Sequence, residues 1–331
     1  MRILLILIVV ATGAWSAYWF IASSGVKSGF ETWLEARRAE GWVAETQDIE
    51  VAGFPNRIDI GFTDLLLADT DSGLVWEAPF FQILALSYRP NHVIAVWPPE
   101  QRLATPHDKF TLTSSDMRAS IVLRPDSDLG LARTTLTAED LTIRADGAAE
   151  GTRLAALTLA AERVAVDAAP TYRLGLSSDG VAPALPRGLR ETLPDTLDAL
   201  RADMTVTFDK PWDRHAIEEA RPQPRRIDIR LAEVRWGELE LLVAGELDVD
   251  ENGLPEGSLA VKARNWREIL AIAVATGSIP EGLARTVEDG LSLVAGLSGN
   301  RETIDMPLDF RRGRIFLGPV PIGQAPVLRL R

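Results

Sequence analysis

The amino-terminal segment places the strongest constraint on this chain. Residues 3–22 read ILLILIVVATGAWSAYWFIA and carry no charge. A helix of this length, at about 1.5 Å per residue, crosses the hydrocarbon core of a bilayer, which is roughly 30 Å thick. Trp15, Tyr18 and Trp19 lie toward its end, and aromatic residues are common at the membrane–water boundary. The segment predicts a transmembrane anchor over residues 1–22.

A cleaved signal peptide is the alternative interpretation. Arg2 gives a minimal basic start, and Ala14, Ser16 and Ala17 are small residues of the kind found at cleavage sites. That interpretation would make the protein secreted. Apolar residues continue through 18–21 without a polar stop, which favours an uncleaved anchor.

The charges beside the anchor indicate its orientation. The short amino-terminal tail carries Arg2, whereas the other side carries Lys27, Arg37 and Arg38, diluted by Glu31 and Glu35. The short tail favours an orientation with the amino terminus inside. No second apolar stretch of comparable length follows in the sequence. We therefore expect a single-pass protein of the inner membrane whose body, from about residue 23 onward, faces the periplasm.

Residues 23–41 predict a short amphipathic helix. Phe30, Trp33 and Leu34 recur at helical spacing, and Gly41 is placed to end the helix. We expect this helix to brace the sheet against the bilayer.

From residue 42 onward, apolar residues recur at every second position, as on strands with one apolar and one polar face. Turn-forming pairs such as Asp179-Gly180 and Asn252-Gly253 separate these stretches. We therefore expect a mainly β protein with a few helices, in which the transmembrane helix precedes a large curved antiparallel sheet, either open or gutter-like. The alternating residues are Ile58, Ile60, Phe62, Phe110, Leu112, Met117, Ala119, Ile121, Leu123, Met204, Val206, Phe208, Ile227, Ile229, Leu231, Leu239, Leu241, Val243, Leu247 and Val249.

Two stretches lack this alternation and predict helices. They are residues 189–202 and residues 266–299, the second broken at Gly277, Pro280 and Gly290.

A charged, proline-containing segment over residues 211–224 lies between two β-rich parts. We place a division there, because prolines and charge are typical of long loops. The β-rich N-terminal part covers 42–210, and the β-rich C-terminal part covers 225–331 and continues the same body.

Composition argues against several functions. The 47 acidic and 35 basic residues give a net charge of −12, which is the wrong sign for binding nucleic acid. The sequence has no cysteine, which excludes disulfides, thiolate metal sites and cysteine nucleophiles. It also contains no nucleophile elbow and no phosphate- or dinucleotide-binding glycine motif. We expect a protein that is not an enzyme.

One segment resembles a calcium-binding loop. Residues 248–253, DVDENG, match its first six positions, but position twelve falls on Leu259 instead of a glutamate. Asn252-Gly253 between alternating stretches favours a plain hairpin turn. The three histidines lie far apart in sequence, without the spacing of metal ligands: His92, His107 and His215. We expect no metal and no cofactor.

Nine tryptophans offer candidates for an apolar binding site. Trp76, Trp97, Trp236 and Trp266 lie in or beside predicted strands. Aromatic residues line apolar ligand sites as well as cores, so these four are candidate lining residues, and ordinary core packing is the alternative.

Short motifs of glycine, proline and aromatic residues give the chain a family resemblance. They are residues 53–59 (GFPNRID), Trp236-Gly237, residues 252–257 (NGLPEG), Asn265-Trp266, Gly313, residues 317–323 (LGPVPIG) and Ala325-Pro326. Together they resemble the family called domain of unknown function 2125, over nearly the whole chain. The resemblance implies no catalytic residues. The texture of strands and turns is also similar to AsmA-like envelope proteins, whose long curved sheets form gutters with apolar interiors suited to lipid.

These observations favour an anchored periplasmic protein that holds or passes a lipid or another apolar envelope molecule. The alternative is a structural or scaffolding module that docks an envelope protein partner through a sheet edge or an exposed patch. A hydrolase of an envelope polymer would need an acid–base cluster that the sequence does not reveal.

We expect the protein to fractionate with the inner membrane and to retain residues 1–22, because the apolar segment is long enough to stay in the bilayer. Intact-mass spectrometry of the membrane fraction measures this. A membrane-free chain that begins near residue 20 would contradict the anchor, and a carboxyl-terminal tag reached from the cytosol would contradict the orientation.

Overall fold

The computed structural model describes residues 1–164, 169–185, 193–218, 220–277, 281–297, 301–318 and 320–330. Its strands form a large sheet of 18 strands, and neighbouring strands run antiparallel, as in the pairs β3–β4 and β13–β14 defined below. The expectation of a mainly β protein with a large antiparallel sheet and an apolar amino-terminal helix is confirmed.

One helix, α1 (Arg2–Ala39), covers both segments predicted at 1–22 and 23–41 without a break between them. No proline interrupts this stretch, so every turn of the helix keeps its backbone hydrogen bonds. The helix ends as predicted, because Gly41 adopts a positive φ of 91° just beyond it. Within the part of the chain that the structure describes, α1 is the one helix that is long and apolar enough to cross a membrane.

Contacts divide the chain into two compact units. The first contains residues 1–125 and 136–151, and the second contains 126–135 and 152–331. The division placed from the sequence around residues 211–224 lies inside the second unit. The strands of the first unit are β1 (Val43–Glu45), β2 (Asp48–Ala52), β3 (Arg57–Asp69), β4 (Leu74–Leu86), β5 (Arg89–Val96), β6 (Glu100–Ala104), β7 (Lys109–Thr113), β8 (Asp116–Leu123) and most of β9 (Leu131–Ala145).

The core of the first unit lies between α1 and strands β1–β3. Trp19 and Leu34 from the helix are buried against Ala44 of β1, which has no exposed surface. The predicted alternation of β3 is confirmed, because Ile58 and Ile60 are buried in the same core. The second half of α1 is therefore part of the folded body of this unit.

The second unit contains the remaining elements. These are β10 (Thr152–Arg163), β11 (Thr171–Asp179), β12 (Ala199–Phe208), α2 (His215–Glu218), β13 (Pro224–Trp236), β14 (Leu239–Val249), β15 (Pro255–Arg264), α3 (Trp266–Ala275), α4 (Glu281–Leu297), β16 (Thr303–Arg311), β17 (Arg314–Leu317) and β18 (Val320–Gln324).

The helix predicted over residues 189–202 is wrong where the structure describes it. Residues 193–198 are not helical, residues 199–202 belong to β12, and residues 189–192 lie outside the described residues. Leu200 and Ala202 continue the alternation of Met204 along that strand. Pairing with both β11 and β13 gives this backbone its hydrogen bonds, and that outweighs its local helix propensity.

The helices predicted over 266–299 are confirmed as α3 and α4, and the break predicted at Gly277 is confirmed because α3 ends at Ala275. Pro280, where a second break was predicted, lies outside the described residues. The break predicted at Gly290 is wrong, because α4 continues through it. A glycine in a helix interior costs only about 1 kcal/mol. Val287 and Ala295 are buried in the core beneath α4, and this packing offsets that cost.

One face of the second unit's sheet is apolar. Residues paired directly across neighbouring strands share a face, as Leu174 does with Met204 and Met204 with Ile229. We call this surface the apolar face. Its members on the five central strands include Ala161, Tyr172, Leu174, Leu176, Leu200, Ala202, Met204, Val206, Ile227, Ile229, Ala232, Val234, Trp236, Leu239, Leu241, Val243 and Leu247.

A β-bulge in β13 changes which side chains lie on this face. The register shifts between Ile229 and Ala232, so Ala232 takes the position on the apolar face that strict alternation assigns to Leu231. Leu231 pairs with Asp203 instead and is exposed on the other face. The prediction that Leu231 continues the apolar row was therefore wrong.

The opposite, polar face carries a charge cluster. The Arg173 guanidinium donates two hydrogen bonds to the carboxylate of Asp203, at 3.0 and 2.8 Å, and Arg230 donates a third at 2.7 Å. The hydrogen bonds from Arg173, with a smaller contribution from Arg230, lower the pKa of Asp203 to about 2. Because the ionised carboxylate is favoured in the fold, the cluster stabilises the protein above the unfolded pKa of about 3.9.

Replacing Leu34 by alanine is expected to lower the free energy of unfolding by about 2–5 kcal/mol, because the cavity left between α1 and β1–β3 cannot refill. Urea unfolding of the full chain in detergent measures this. Glu35→Ala, at the exposed neighbouring position, is the matched control and should change little. Equal stability of the two variants would contradict the packing of α1 on this core.

Arg173→Gln is expected to raise the pKa of Asp203 toward its ordinary value, since the largest stabilising hydrogen bonds are lost. Carboxyl carbon NMR, with Asp203→Asn to identify the resonance, reports the titration. Arg118→Gln, which removes a comparable exposed pair with Asp116, serves as the control. In the wild type, the stabilisation from this cluster should fade as the pH falls below about 3.9 toward 2. The same pKa of Asp203 in the Arg173→Gln and Arg118→Gln variants would refute Arg173 as the main cause of its lowered pKa.

Candidate functional site

Two of the four candidate tryptophans lie together in the first unit. The ring of Phe81 lies between them, 5.2 Å from Trp76 and 5.3 Å from Trp97, centroid to centroid. The indole N–H of Trp76 donates to Oε1 of Gln101 at 2.7 Å. Both Trp76 and Phe81 pack against the core beneath α1. Trp76 and Trp97 therefore extend the core of the first unit through Phe81.

The other two lie in neighbouring clusters of the second unit. Trp266 begins α3, is only 2% exposed, and donates its indole N–H to the carbonyl of Arg301 at 3.1 Å, so it is a core residue. Trp236 donates to the carbonyl of Pro194 at 2.7 Å and lines an apolar cavity of about 240 Å³. We call this the small cavity. It is bounded by α3 through Ile269 and Ile272.

A larger apolar cavity, of about 670 Å³, lies at the other end of the same apolar face, and we call it the main cavity. Three aromatic rings form its inner wall, with Phe208 between Tyr172 at 5.9 Å and Trp212 at 5.6 Å. Arg329 is the charged side chain among its lining residues. The lining is Leu131, Ala161, Tyr172, Leu174, Val206, Phe208, Trp212, Pro224, Ile227, Val327, Leu328, Arg329 and Leu330.

Hydrogen bonds hold Trp212 in place although it lies in a loop. Its backbone N–H donates to the hydroxyl of Tyr172 at 3.2 Å, and its carbonyl accepts from the backbone N–H of Leu131 at 2.6 Å. Tyr172 is only 1% exposed. The aromatic wall is therefore built in advance of any ligand.

Sequence reasoning missed Trp212 because it follows Pro211 in the segment taken for a linker. The available signal was an aromatic residue in a stretch otherwise rich in charge and proline.

The chain segment 327–330 forms the outer rim of the main cavity. Leu330 exchanges two hydrogen bonds with the side chain of Gln223, at 3.0 and 2.8 Å, and the N–H of Leu328 donates to the carbonyl of Gly253 at 2.8 Å. Val327 is 60% exposed and Leu330 is 42% exposed. The rim is thus fastened through its backbone while it presents apolar side chains to solvent.

Half-buried residues join the two cavities along the apolar face. Val206 in the main cavity and Val234 in the small cavity lie on the same face, with Met204, Ala202 and Ala232 between them. Each of these three is of intermediate exposure. The second unit therefore presents a continuous, partly uncovered apolar surface with a pocket at each end.

The segment that resembles a calcium loop forms a hairpin turn. The N–H groups of Leu254 and Asn252 donate to Oδ1 of Asp250 at 2.7 and 2.9 Å. These bonds, with that from Leu254 the largest, lower the pKa of Asp250. The carboxylate caps the turn between β14 and β15, as the prediction of a plain hairpin required. Among the described residues, no group of three or more histidine, aspartate or glutamate side chains could hold a metal ion.

Comparison with known proteins identifies the family. Searches of curated proteins and of solved structures find no significant match, and the likeness to AsmA-like proteins is not shown. A family model described as an uncharacterized protein conserved in bacteria, domain of unknown function 2125, matches residues 19–326. The match begins inside α1 and covers both compact units. The chain therefore belongs to the family of domain of unknown function 2125.

Proposed function

We propose that this protein is a non-enzymatic, membrane-anchored periplasmic protein that binds the acyl chain of a lipid, or a similar apolar molecule, in the main cavity. The observation that carries the proposal is the cavity itself, about 670 Å³ in volume and walled by three aromatic rings and aliphatic side chains. Its volume lies within the range of about 300–1,000 Å³ that is usual for small-molecule sites.

The chemistry of the lining favours a long hydrocarbon chain. Burying one CH₂ group contributes about 0.8 kcal/mol, whereas association costs at least about 4 kcal/mol. The first five or so methylenes therefore only offset the cost of binding. A longer chain has room to follow the apolar face from the main cavity toward the small cavity, past Met204 and Ala202.

The packing of α1 supports an uncleaved anchor. Trp19 is 6% exposed in the core of the first unit, and Trp15 and Tyr18 hydrogen-bond to that unit's loops. Cleavage after Ala17 would remove Trp15 and with it the hydrogen bond to the carbonyl of Pro55. The orientation with the body in the periplasm rests on the short amino-terminal tail.

The test uses the full chain reconstituted in vesicles with phosphatidylethanolamine that carries a photoreactive diazirine in one acyl chain. After irradiation and proteolysis, mass spectrometry should locate adducts on α1. It should also locate adducts on peptides from residues 204–212, which include Phe208 and Trp212 of the cavity wall. Ala161→Trp fills the main cavity and should lower the adducts in the second unit severalfold while those on α1 persist.

Ala160→Trp is the matched control, because Ala160 is exposed on the polar face of the same strand and should leave both sets of adducts unchanged. Adducts confined to α1, or equal labelling of residues 204–212 in both variants, would refute acyl-chain binding. A crosslinked protein in place of lipid on the apolar face would favour the scaffolding alternative.

A further inference from the structure

We propose that two hairpin turns of the first unit are inserted in the lipid bilayer beside α1, so that the sheet itself contacts the membrane. The turns are residues 53–56, between β2 and β3, and residues 87–88, between β4 and β5; we call them the membrane tips. The inference rests on the proposed role of α1 as an anchor.

Side-chain contacts fix both tips to the helix. The indole N–H groups of Trp15 and Trp19 donate to the carbonyls of Pro55 and Arg57, at 3.0 and 2.6 Å. The hydroxyl of Tyr18 donates to the carbonyl of Ser87 at 2.8 Å. The tips therefore lie at the level of residues 15–19 along the helix.

The part of α1 that precedes the sheet is too short to cross a bilayer, so the bilayer must also surround residues 15–19. Residues 2–14, which precede the first contact with the sheet, span only roughly 20 Å at 1.5 Å per residue. The hydrocarbon core is roughly 30 Å thick. An anchor that crosses it must extend to about Ile21, so the bilayer surrounds the part of α1 that carries the tips.

The surface of the tips has the composition of a membrane interface. Phe54 is 52% exposed, and its ring lies 5.8 Å from that of Phe20, which is itself 61% exposed. Tyr88 is 59% exposed and Ile21 is 74% exposed. Tyr88 has an apolar ring and a polar hydroxyl and so is of the kind enriched at membrane–water boundaries, while Phe54 adds exposed apolar surface.

Basic residues accompany these aromatic residues. Arg57 and Arg89 are exposed at the tips, and both are paired in the sheet with Leu86. The Arg57 guanidinium pairs with both carboxylate oxygens of Asp59, each at 3.0 Å. Long cationic side chains beside an apolar surface extend toward lipid phosphates. A lipid surface suits the exposed aromatic side chains and Arg89, and it continues directly from the exposed apolar surface of α1.

Single spin labels test the placement, because the sequence has no native cysteine. Tyr88→Cys and Asn56→Cys report the tips in the full chain, reconstituted in vesicles of phosphatidylethanolamine and phosphatidylglycerol. Asp71→Cys is the matched control: it lies in the turn at the far end of β3, a strand of 13 residues, so it sits roughly 40 Å from the tips. Ile8→Cys reports the anchor.

Compared with the Asp71→Cys label, the labels at both tips should collide severalfold more often with oxygen and severalfold less often with a water-soluble nickel complex. Tip labels that match Asp71→Cys while the Ile8→Cys label is in hydrocarbon would overturn the inference and leave the anchor intact. A water-exposed Ile8→Cys label would overturn the anchor and the inference together.

Discussion

The contact between α1 and the first unit is the constraint on which the rest depends. One face of the helix supplies Trp19 and Leu34 to a protein core, whereas the preceding residues expose apolar side chains along their whole length. Soluble proteins rarely expose an apolar surface of this size. A flexible tether, in turn, would not bury a tryptophan in the core of the body. The same element therefore joins a folded body, through direct packing, to a segment that is long and apolar enough to cross a membrane.

The second unit shows how antiparallel pairing separates chemistry on two sides of one layer. The ion pairs of Asp203 lie on one side, and the apolar cavities lie on the other. Because side chains alternate along every strand, a shift of one residue in the pairing of a strand would move its apolar side chains to the polar face and its polar side chains to the apolar face. The bulge at Ile229–Ala232 keeps the apolar row aligned where strict alternation would break it.

Much of the fold was accessible from sequence because its signals are local. The alternation of Ile58 and Ile60 and the turn at Asn252-Gly253 each depend on a few adjacent residues. The helix predicted over 189–202 was wrong where described, since the pairing of β12 with two distant strands decides its conformation. The main cavity could not be predicted from sequence for the same reason. Tyr172, Phe208 and Trp212 meet only after strands from separate parts of the chain have paired.

The uninterrupted course of α1 has a mechanical consequence. A flexible joint between the apolar half and the packed half of α1 would let the folded body rotate freely relative to the apolar segment. Here the helix passes from its apolar half into its packed half without a hinge, and hydrogen bonds from Trp15, Tyr18 and Trp19 join it to the sheet. The first unit is consequently held rigidly against the helix, and its strands keep one fixed inclination to the axis of α1.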